Sequence, residues 1–496
     1  MSIKRSSGIL MPIASLPSNY GIGTLGEAAY KFVDFLHDAG QSWWQILPVG
    51  PTSYGDSPYQ SFSTFAGNPY FIDLDMLVED GLLKKSDLVG IDFGDDAGRI
   101  DYEKIYNTRF DILRKAVANS AGKADPDYLK FYSENQKWLS EYALFMALKE
   151  HFSMKSWIEW EDRDIRLHKA SAVDKYRNSL CDEIFFYEYL QYLFYKQWDA
   201  LRDYAKEKDV GIIGDIPIYV ALDSADVWSD PREFQLDENN LPTAVAGVPP
   251  DYFSEDGQLW GNPLYNWDYM KSDGYGWWIR RIEGAGKLYD IIRIDHFRGF
   301  ESYWAVPYGD KTAVNGEWVK GPGMDFVSVL RNWFWNISFI AEDLGILTDD
   351  VRALLRDSTF PGMKVLEFAF DSKEASDYLP YMYEKNTVCY AGTHDNDTLL
   401  GWIETANRDD IACAKDYLNV ERDEDLPAAI IRAGMASCAN LFVAGIWDYL
   451  ELPSSARINV PGTLGGNWQW RLSADDLTPE LAEKIAKMAK IYGRVK

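Results

Sequence analysis

The chain has 496 residues with 50 Lys and Arg against 77 Asp and Glu, a formal net charge of −27, and such a chain repels phosphate backbones and anionic lipid, which argues against nucleic-acid and membrane partners. Hydrophobic residues make up 47% and no apolar run approaches the roughly 20 residues of a membrane span, so the composition is that of a globular protein with ample core. Aromatic residues reach 15%, including 19 Trp and 31 Tyr, a surplus that suits flat apolar ligands edged with hydroxyls, as sugars are.

The first twenty residues carry basic side chains and a short apolar stretch, but Pro12 and Pro17 interrupt it, so the segment reads as a strand and not as a signal peptide. A recurring pattern then runs along the chain: a short apolar run ending in a polar or acidic residue, followed by a helical pattern. The runs fall at about 8–13, 43–49, 211–220, 288–294, 337–341, 363–370, 387–392 and 441–447. Their hydrophobicity is continuous and not alternating, which marks strands covered on both faces and hence a parallel sheet under helices. Amphipathic segments lie between them, at 27–39, with Thr24 and Glu27 spaced as a capping box and Gly40 as terminator, and at 185–208. Eight strands alternating with helices predict an α/β fold, a (β/α)8 TIM barrel.

The spacing is uneven, since a βα unit needs about 30 residues. The interval 50–210 is far longer and holds helical patterns at 102–119, 126–151 and 173–208; a second excess, 224–287, looks loop-rich, with many Pro, Gly and Trp. Both are expected as insertions on a single barrel domain spanning 1–496, the first mostly helical, the second over the cleft. After the last strand only a short segment remains, ending in an amphipathic helix near 479–492, which leaves no room for a C-terminal β-sandwich. Cys181, Cys389, Cys413 and Cys438 form no CxxC pair, which suggests reduced thiols in the cytoplasm. The five histidines form no HxH or HExxH pattern, so neither a metal site nor a cofactor is expected.

In such a barrel the chemistry sits at the C-terminal ends of the strands. GIIGDIPIYV places Asp215 there, DIIRIDHFRGF places Arg293 and Asp295 two apart on one side of a strand, NISFIAEDLG ends in Glu342 and Asp343, and VCYAGTHDNDT ends in His394 and Asp395. Any one of these could merely cap the next helix, a reading that suits Asp343 and Asp397, and Arg293 with Asp295 could be a structural ion pair. Four carboxylates converging on one rim repel each other, and that arrangement persists mainly where it shifts pKa values for function. Metal binding and glycosidic cleavage both use converging carboxylates, but oxygen-rich metal sites commonly draw on one loop such as DxDxDG, which is absent. In glycosidic cleavage one carboxylate attacks the anomeric carbon while an acid protonates the leaving oxygen. Arg293 would keep Asp295 ionised for attack, and the apolar FIA before Glu342 would raise its pKa for proton donation.

IIRIDHFRGF, FIAEDLG and GTHDNDT resemble signature regions of the α-amylase clan, with GDIPIYV where its first region lies. Their spelling, together with SPYQSFSTFAGNPYFIDL, AGVPPDYFSEDGQLWGNPLY and PGTLGGNWQWR, resembles the amylomaltases, the 4-α-glucanotransferases of glycoside hydrolase family 77, over essentially the whole chain. The resemblance implies Asp295 as nucleophile, Glu342 as general acid/base and Asp395 as the third carboxylate, with Asp397 as the alternative to Asp395. It further implies sugar contacts from Tyr59, Asp215, Arg293, His296 and His394, a loop over the cleft bearing Asp251, Tyr252, Phe253 and Trp260, and Asn467 from the opposite side. For Phe253 and Trp260 core packing competes with binding; Tyr54 is either a second glucan contact or an ordinary loop residue, and Asp371 either lines the cleft or caps a helix. The expected activity is transfer of an α-1,4-glucan segment to the 4-hydroxyl of glucose or a maltooligosaccharide, by retaining double displacement. A plain α-1,4-glucan hydrolase and a non-catalytic glucan-binding barrel are the rivals. The sequence leaves the oligomeric state open.

Overall fold

The computed structural model describes residues 3–495 apart from 251–253, 346 and 375. Among the described residues the strands, in chain order, are β1 (Ser6–Leu10), β2 (Trp43–Gln45), β3 (Gly211–Pro217), β4 (Ala244–Val248), β5 (Gln258–Pro263), β6 (Ile291–Asp295), β7 (Ser302–Pro307), β8 (Glu317–Lys320), β9 (Ser338–Ala341), β10 (Gly362–Val365), β11 (Thr387–Tyr390) and β12 (Leu441–Gly445). Eight of them pair in the order β10-β11-β12-β1-β2-β3-β6-β9, every neighbour parallel. The two ends of this sheet meet: Ala341 N–H donates to the Pro361 carbonyl at 2.9 Å and Met363 N–H to Asp343 Oδ1 at 2.6 Å. The result is a (β/α)8 barrel, because parallel neighbours require a crossover at each step and helices supply it.

Each of the eight apolar runs overlaps one barrel strand, with β1, β6 and β10 reaching one or two residues beyond theirs, and β1, β11 and β12 are buried at every residue, as strands covered on both faces must be. The strands are shorter than the runs. β2 has three residues, and the chain leaves the sheet before Pro48, which has no N–H to give a ladder. β10 ends at Val365, where Leu366–Phe368 wind into a 3₁₀ turn.

The helix Glu27–Asp38 starts without the capping box: its N-cap is Gly26, and Thr24 instead donates its hydroxyl to Asp73 Oδ2 at 2.6 Å. Asp73, which caps the helix Leu74–Glu79, is a stronger acceptor than the backbone could offer Thr24. The helix Pro126–His151 has the expected limits, with Asp125 as N-cap and Pro126 in the first turn. The expected helix at 173–208 is two, Ala170–Ser179 and Cys181–Glu207, joined at the non-helical Leu180. Cys181–Glu207 packs on both Pro126–His151 and Glu27–Asp38 and leads into β3, so the inserted helices share the core of the barrel. Its Gln191 and Gln197 pin the preceding loop through paired amide bonds to Gly67 and Asp73. The contact is close: a Cβ at Gly67 would lie 2.1 Å from the Phe194 ring.

The 224–287 segment contains more than loops. Its β4 and β5 join β7 and β8 in an antiparallel sheet of order β5-β4-β7-β8 beside the barrel mouth. Gly247, Gly261 and Pro263 punctuate these strands and break the alternation that would have announced them. After β12 the chain makes short helical turns and ends in the helix Pro479–Ile491, which packs against Glu27–Asp38. Trp44 is fully buried and Trp43 half-buried, each indole N–H being used locally, on the Met11 carbonyl and on Ser6 Oγ, so both serve packing. No described helix is long and apolar enough to cross a membrane.

Candidate active site

β3, β6, β9 and β11 deliver their acidic residues to one rim of the barrel. Arg293 and Asp295 point to the same side of β6, two residues apart, and Arg293 sits opposite Asp215 in the β3–β6 register. The buried Arg293 guanidinium bridges two carboxylates, with Nη1 at 2.5 Å from Asp215 Oδ2 and Nη2 at 3.0 Å from Asp295 Oδ1. The Tyr59 hydroxyl donates to the same Asp215 oxygen at 2.8 Å. Asp215 is 1% exposed and its Oδ1 has no partner among the described residues, whereas the Asp295 side chain keeps 30% of its surface open. Arg293 with Asp295 is an ion pair, but one whose carboxylate faces solvent.

His296, the next residue, adopts a left-handed conformation (φ 53°, ψ 47°) that few non-glycine residues accept. Strain of this kind is commonly held at functional sites. Here it brings the His296 N–H to Glu342 Oε2 at 2.7 Å. The other Glu342 oxygen accepts from Leu344 N–H at 2.7 Å, and backbone bonds Glu342 N–H to Ile294 O and Phe297 N–H to Glu342 O, 3.0 Å each, tie the two strand ends together. No Lys or Arg among the described residues pairs directly with Glu342. Burial first, and then the Asp295 charge, pushes the Glu342 carboxyl well above the ordinary carboxylate range. Burial also raises Asp295, but Arg293 opposes it, so its rise is the smaller. His296 is held neutral, its pKa lowered to about 3 by burial and by Arg298, and its ring meets the Trp260 ring edge-on at 4.8 Å.

On the opposite wall the Tyr59 and His394 rings stack at 5.1 Å and 17°, with Trp468 6.0 Å from each. Asp395 is held by Asn459 Nδ2 on its Oδ1 at 2.7 Å and by Arg457 Nη2 on its carbonyl at 2.7 Å, with His394 Nε2 3.3 Å from Oδ1. Asp397, the alternative to Asp395, spends its carboxylate on Thr398 N–H and Ser454 Oγ, 2.8 Å each. Neither Asp397 nor Asp343 caps a helix, contrary to expectation. Thr398 and Thr348 take those places, because each hydroxyl lies nearer the helix start, while Asp343 bonds across the barrel closure to Met363 N–H. Asp371 closes a turn on Lys373 and Glu374 and caps no helix.

The structure thus brings Tyr59, Asp215, Arg293, Asp295, His394 and Asp395 together, with His296, Glu342 and Trp260 beside them. Asp251, Tyr252 and Phe253 lie outside the described residues. The Asn467 amide closes the 460–467 loop through Val460 N–H, the Thr463 carbonyl and Thr463 Oγ1, and the following Trp468 reaches the Tyr59 and His394 rings. Sequence reasoning missed Trp468, Asn459 and Arg457. The first could have been found beside Asn467 in GGNW; the other two lie 64 and 62 positions from Asp395, with no local signal. Among the described residues no three His, Cys, Asp or Glu side chains group to hold a metal ion.

A parallel barrel whose rim gathers an Arg-paired carboxyl and a buried, raised one between aromatic walls is the architecture of a carbohydrate-active barrel enzyme. The family model described as 4-alpha-glucanotransferase, glycoside hydrolase family 77, matches residues 11–478. A 4-alpha-glucanotransferase of Clostridium butyricum is 50% identical over 486 residues, 98% of this chain and 100% of the relative. That of Thermus thermophilus is 44% identical over 506 residues, the whole of both chains. The amylomaltase of Streptococcus agalactiae, solved in complex with acarbose, superposes with a TM-score of 0.96 at 43% identity over 99% of this chain and 100% of that one. The chain belongs to the 4-alpha-glucanotransferase family, glycoside hydrolase family 77, and is an enzyme of that activity.

Proposed function

We propose that this enzyme cleaves an α-1,4-glucosidic bond and passes the glucan to a 4-hydroxyl of glucose or a maltooligosaccharide, with Asp295 as nucleophile and Glu342 as acid and base. Asp295 attacks the anomeric carbon while Glu342 gives its proton to the departing glycosidic oxygen; the acceptor hydroxyl then returns a proton to Glu342 and displaces Asp295, with net retention. The observation that carries this is the contrast between two neighbouring carboxyls. Asp295 has Arg293 at 3.0 Å and an open face, while Glu342 is buried, lacks a direct cation partner and is raised furthest. Environments that push two pKa values apart assign the roles of nucleophile and acid. Asp395, steadied by Asn459 and Arg457, is suited to gripping sugar hydroxyls and to the positive charge that develops at the anomeric carbon.

Tyr59, Asp215, Arg293, His296, His394 and Trp260 form the walls of the central sugar site, and Trp468 extends the aromatic wall. Asn467 acts through the loop it closes. The acarbose complex of the Streptococcus agalactiae relative supports α-glucans and maltooligosaccharides, starch chains among them, as the ligand class. Four free cysteines among the described residues support a cytoplasmic setting. Incubation with maltotriose tests the reading. Glucose with a ladder of longer maltooligosaccharides is expected, and glucose with maltose alone would replace transfer by hydrolysis.

A further inference from the structure

Two buried carboxyls stand behind the rim that carries Asp395, and the chemistry above uses neither. Glu367, 8% exposed, lies in the turn after β10, and Asp448, 1% exposed, lies in the short helix Ile446–Tyr449 after β12. β11 runs between those two strands in the sheet, so the two carboxyls flank the segment that leaves it with Thr393, His394 and Asp395. Each is half-satisfied among the described residues. Glu367 Oε2 accepts from Asn396 Nδ2 at 3.2 Å and Asp448 Oδ1 from Leu399 N–H at 2.9 Å, while Glu367 Oε1 and Asp448 Oδ2 have no partner. A buried carboxyl with one hydrogen bond costs stability that an apolar side chain of similar size would not.

What Glu367 touches leads to the rim. Asn396, which it holds through Nδ2, turns its Oδ1 to Thr393 and accepts from both the N–H and the hydroxyl, each at 2.9 Å. Thr393 Oγ1 in turn accepts from the Asp395 N–H at 3.3 Å. A continuous path therefore runs from Glu367 through Asn396 and Thr393 to the peptide that bears Asp395. Gly392 is what lets the carboxyl approach: a Cβ there would lie 2.4 Å from Glu367 Oε1 and 3.2 Å from Asn396 Cβ. Burial, with Asp448 adding to it, raises Glu367 well above the ordinary carboxylate range, so a neutral side chain of the same shape meets the same electrostatic demand.

We propose that Glu367 is a positioning residue for the transfer reaction, acting through Asn396 and Thr393 to fix the peptide on which Asp395 stands. The proposal rests on the reading of Asp395 as the third carboxylate of the site. It also explains why the GTHDNDT motif is longer than the two residues that face the cleft: Gly392, Thr393 and Asn396 serve the path, and Asp397 clasps Ser454.

The test measures kcat and KM for maltotriose disproportionation, with thermal unfolding alongside, in the parent and in Glu367→Ala, Glu367→Gln, Asn396→Ala, Glu367→Ala with Asn396→Ala, and Asp395→Asn. Glu367→Ala and Asn396→Ala are each expected to lower kcat about tenfold or more with KM within about threefold, the pattern of a lost transition-state interaction. The double variant should lose little more than either single, since both interrupt one path. Glu367→Gln keeps an acceptor for Asn396 and should restore kcat to within about threefold, which simple packing damage would not predict. Should Glu367→Ala fail to fold, the half-buried Asn396 carries the test alone. Parental kcat in Asn396→Ala, or fully additive losses, overturns the proposal while an inactive Asp395→Asn leaves the site reading standing. Parental kcat in Asp395→Asn overturns both.

Discussion

Replacing Arg293 by Gln tests the electrostatics of the site most directly. Arg293 is 3% exposed and lies between Asp215, 1% exposed, and Asp295, whose side chain is 30% open. Removing one partner of a buried ion pair leaves the other charge uncompensated, at a cost of about 3–5 kcal/mol. Most of it should fall on Asp215, which keeps only the Tyr59 hydroxyl. At about 2.1 cal/mol/K of unfolding entropy per residue, such a loss in a chain of 496 residues corresponds to a fall in Tm on the order of 3–5 °C. The effect on Asp295 is separate. A unit charge about 4 Å away is worth roughly 4 kcal/mol at an effective dielectric near 20; its loss, halved for the open face, raises the Asp295 pKa by roughly 1–2 units at 1.36 kcal/mol per unit. Asp295 is already raised to about 6 by burial, so at neutral pH half or more of it would be protonated, which lowers kcat/KM about twofold to tenfold, and the loss of the Arg293 contact to sugar should bring the total to about tenfold or more. Raising the pH should recover part of this loss. Arg293→Lys should fall between, because one ammonium does not reproduce the two-pronged bridge. Differential scanning calorimetry and initial rates on maltotriose across pH measure both quantities. An Arg293→Gln variant with Tm within 2 °C and kcat/KM within about threefold of the parent would refute the reasoning.

The alkaline limb of the pH–rate profile should belong to Glu342: the proton it donates in the first step is lost as pH rises through its raised pKa, so that limb should lie well above the ordinary range of a glutamate, about 4.3. The same shift has a stability sign, since a carboxyl raised in the folded state binds more protons there than in the unfolded chain. Its contribution therefore weakens as pH climbs from the unfolded value through the folded one, and Glu342→Gln should show a flatter fall of Tm over that window. Tyr59→Phe removes the hydroxyl on Asp215 and leaves the stacked ring; a loss in kcat/KM of about 1–2 kcal/mol, near tenfold, is expected, against a larger loss for Tyr59→Ala. Asp395→Asn and Asp397→Asn should separate cleanly: the first should abolish disproportionation, while the second loosens a loop clasp and should act mainly on Tm, seen by comparing rates far below each variant's midpoint. Trp468→Ala should raise KM for maltooligosaccharides more than Asn467→Gln does, by isothermal titration or steady-state rates.

The sequence was most legible where one physical cause acts locally. Continuous apolar runs mark strands buried on both faces, and each of the eight barrel strands overlaps one of the eight runs. Asp295, Glu342 and Asp395 were legible for the same reason, as polar residues at or just beyond the ends of apolar runs. Legibility failed where a residue had two local uses and a distant partner chose between them. Thr24 and Asp343 could each have capped a helix, but Asp73 and Met363 N–H bind them instead. β4 and β5 were hidden by their glycines and proline, and only β5 pairing with β4, and β4 with β7, makes them strands.

Length, charge and the order of apolar runs, by themselves, determined the barrel and the rim on which its carboxylates stand, because burial on two faces leaves a local signature that needs no partner to be read. Arg293 beside Asp295 and the apolar run before Glu342 were legible in the chain, but tertiary structure alone decided how far each carboxyl is raised. That depends on Arg293 reaching Asp215 and Asp295 together, on the left-handed turn of His296 toward Glu342, and on Asn459 and Arg457 arriving at Asp395 from more than sixty residues away. Charge interactions fall off over a few ångströms of space and not along the chain, so the tuning of this site exists only once the barrel has closed.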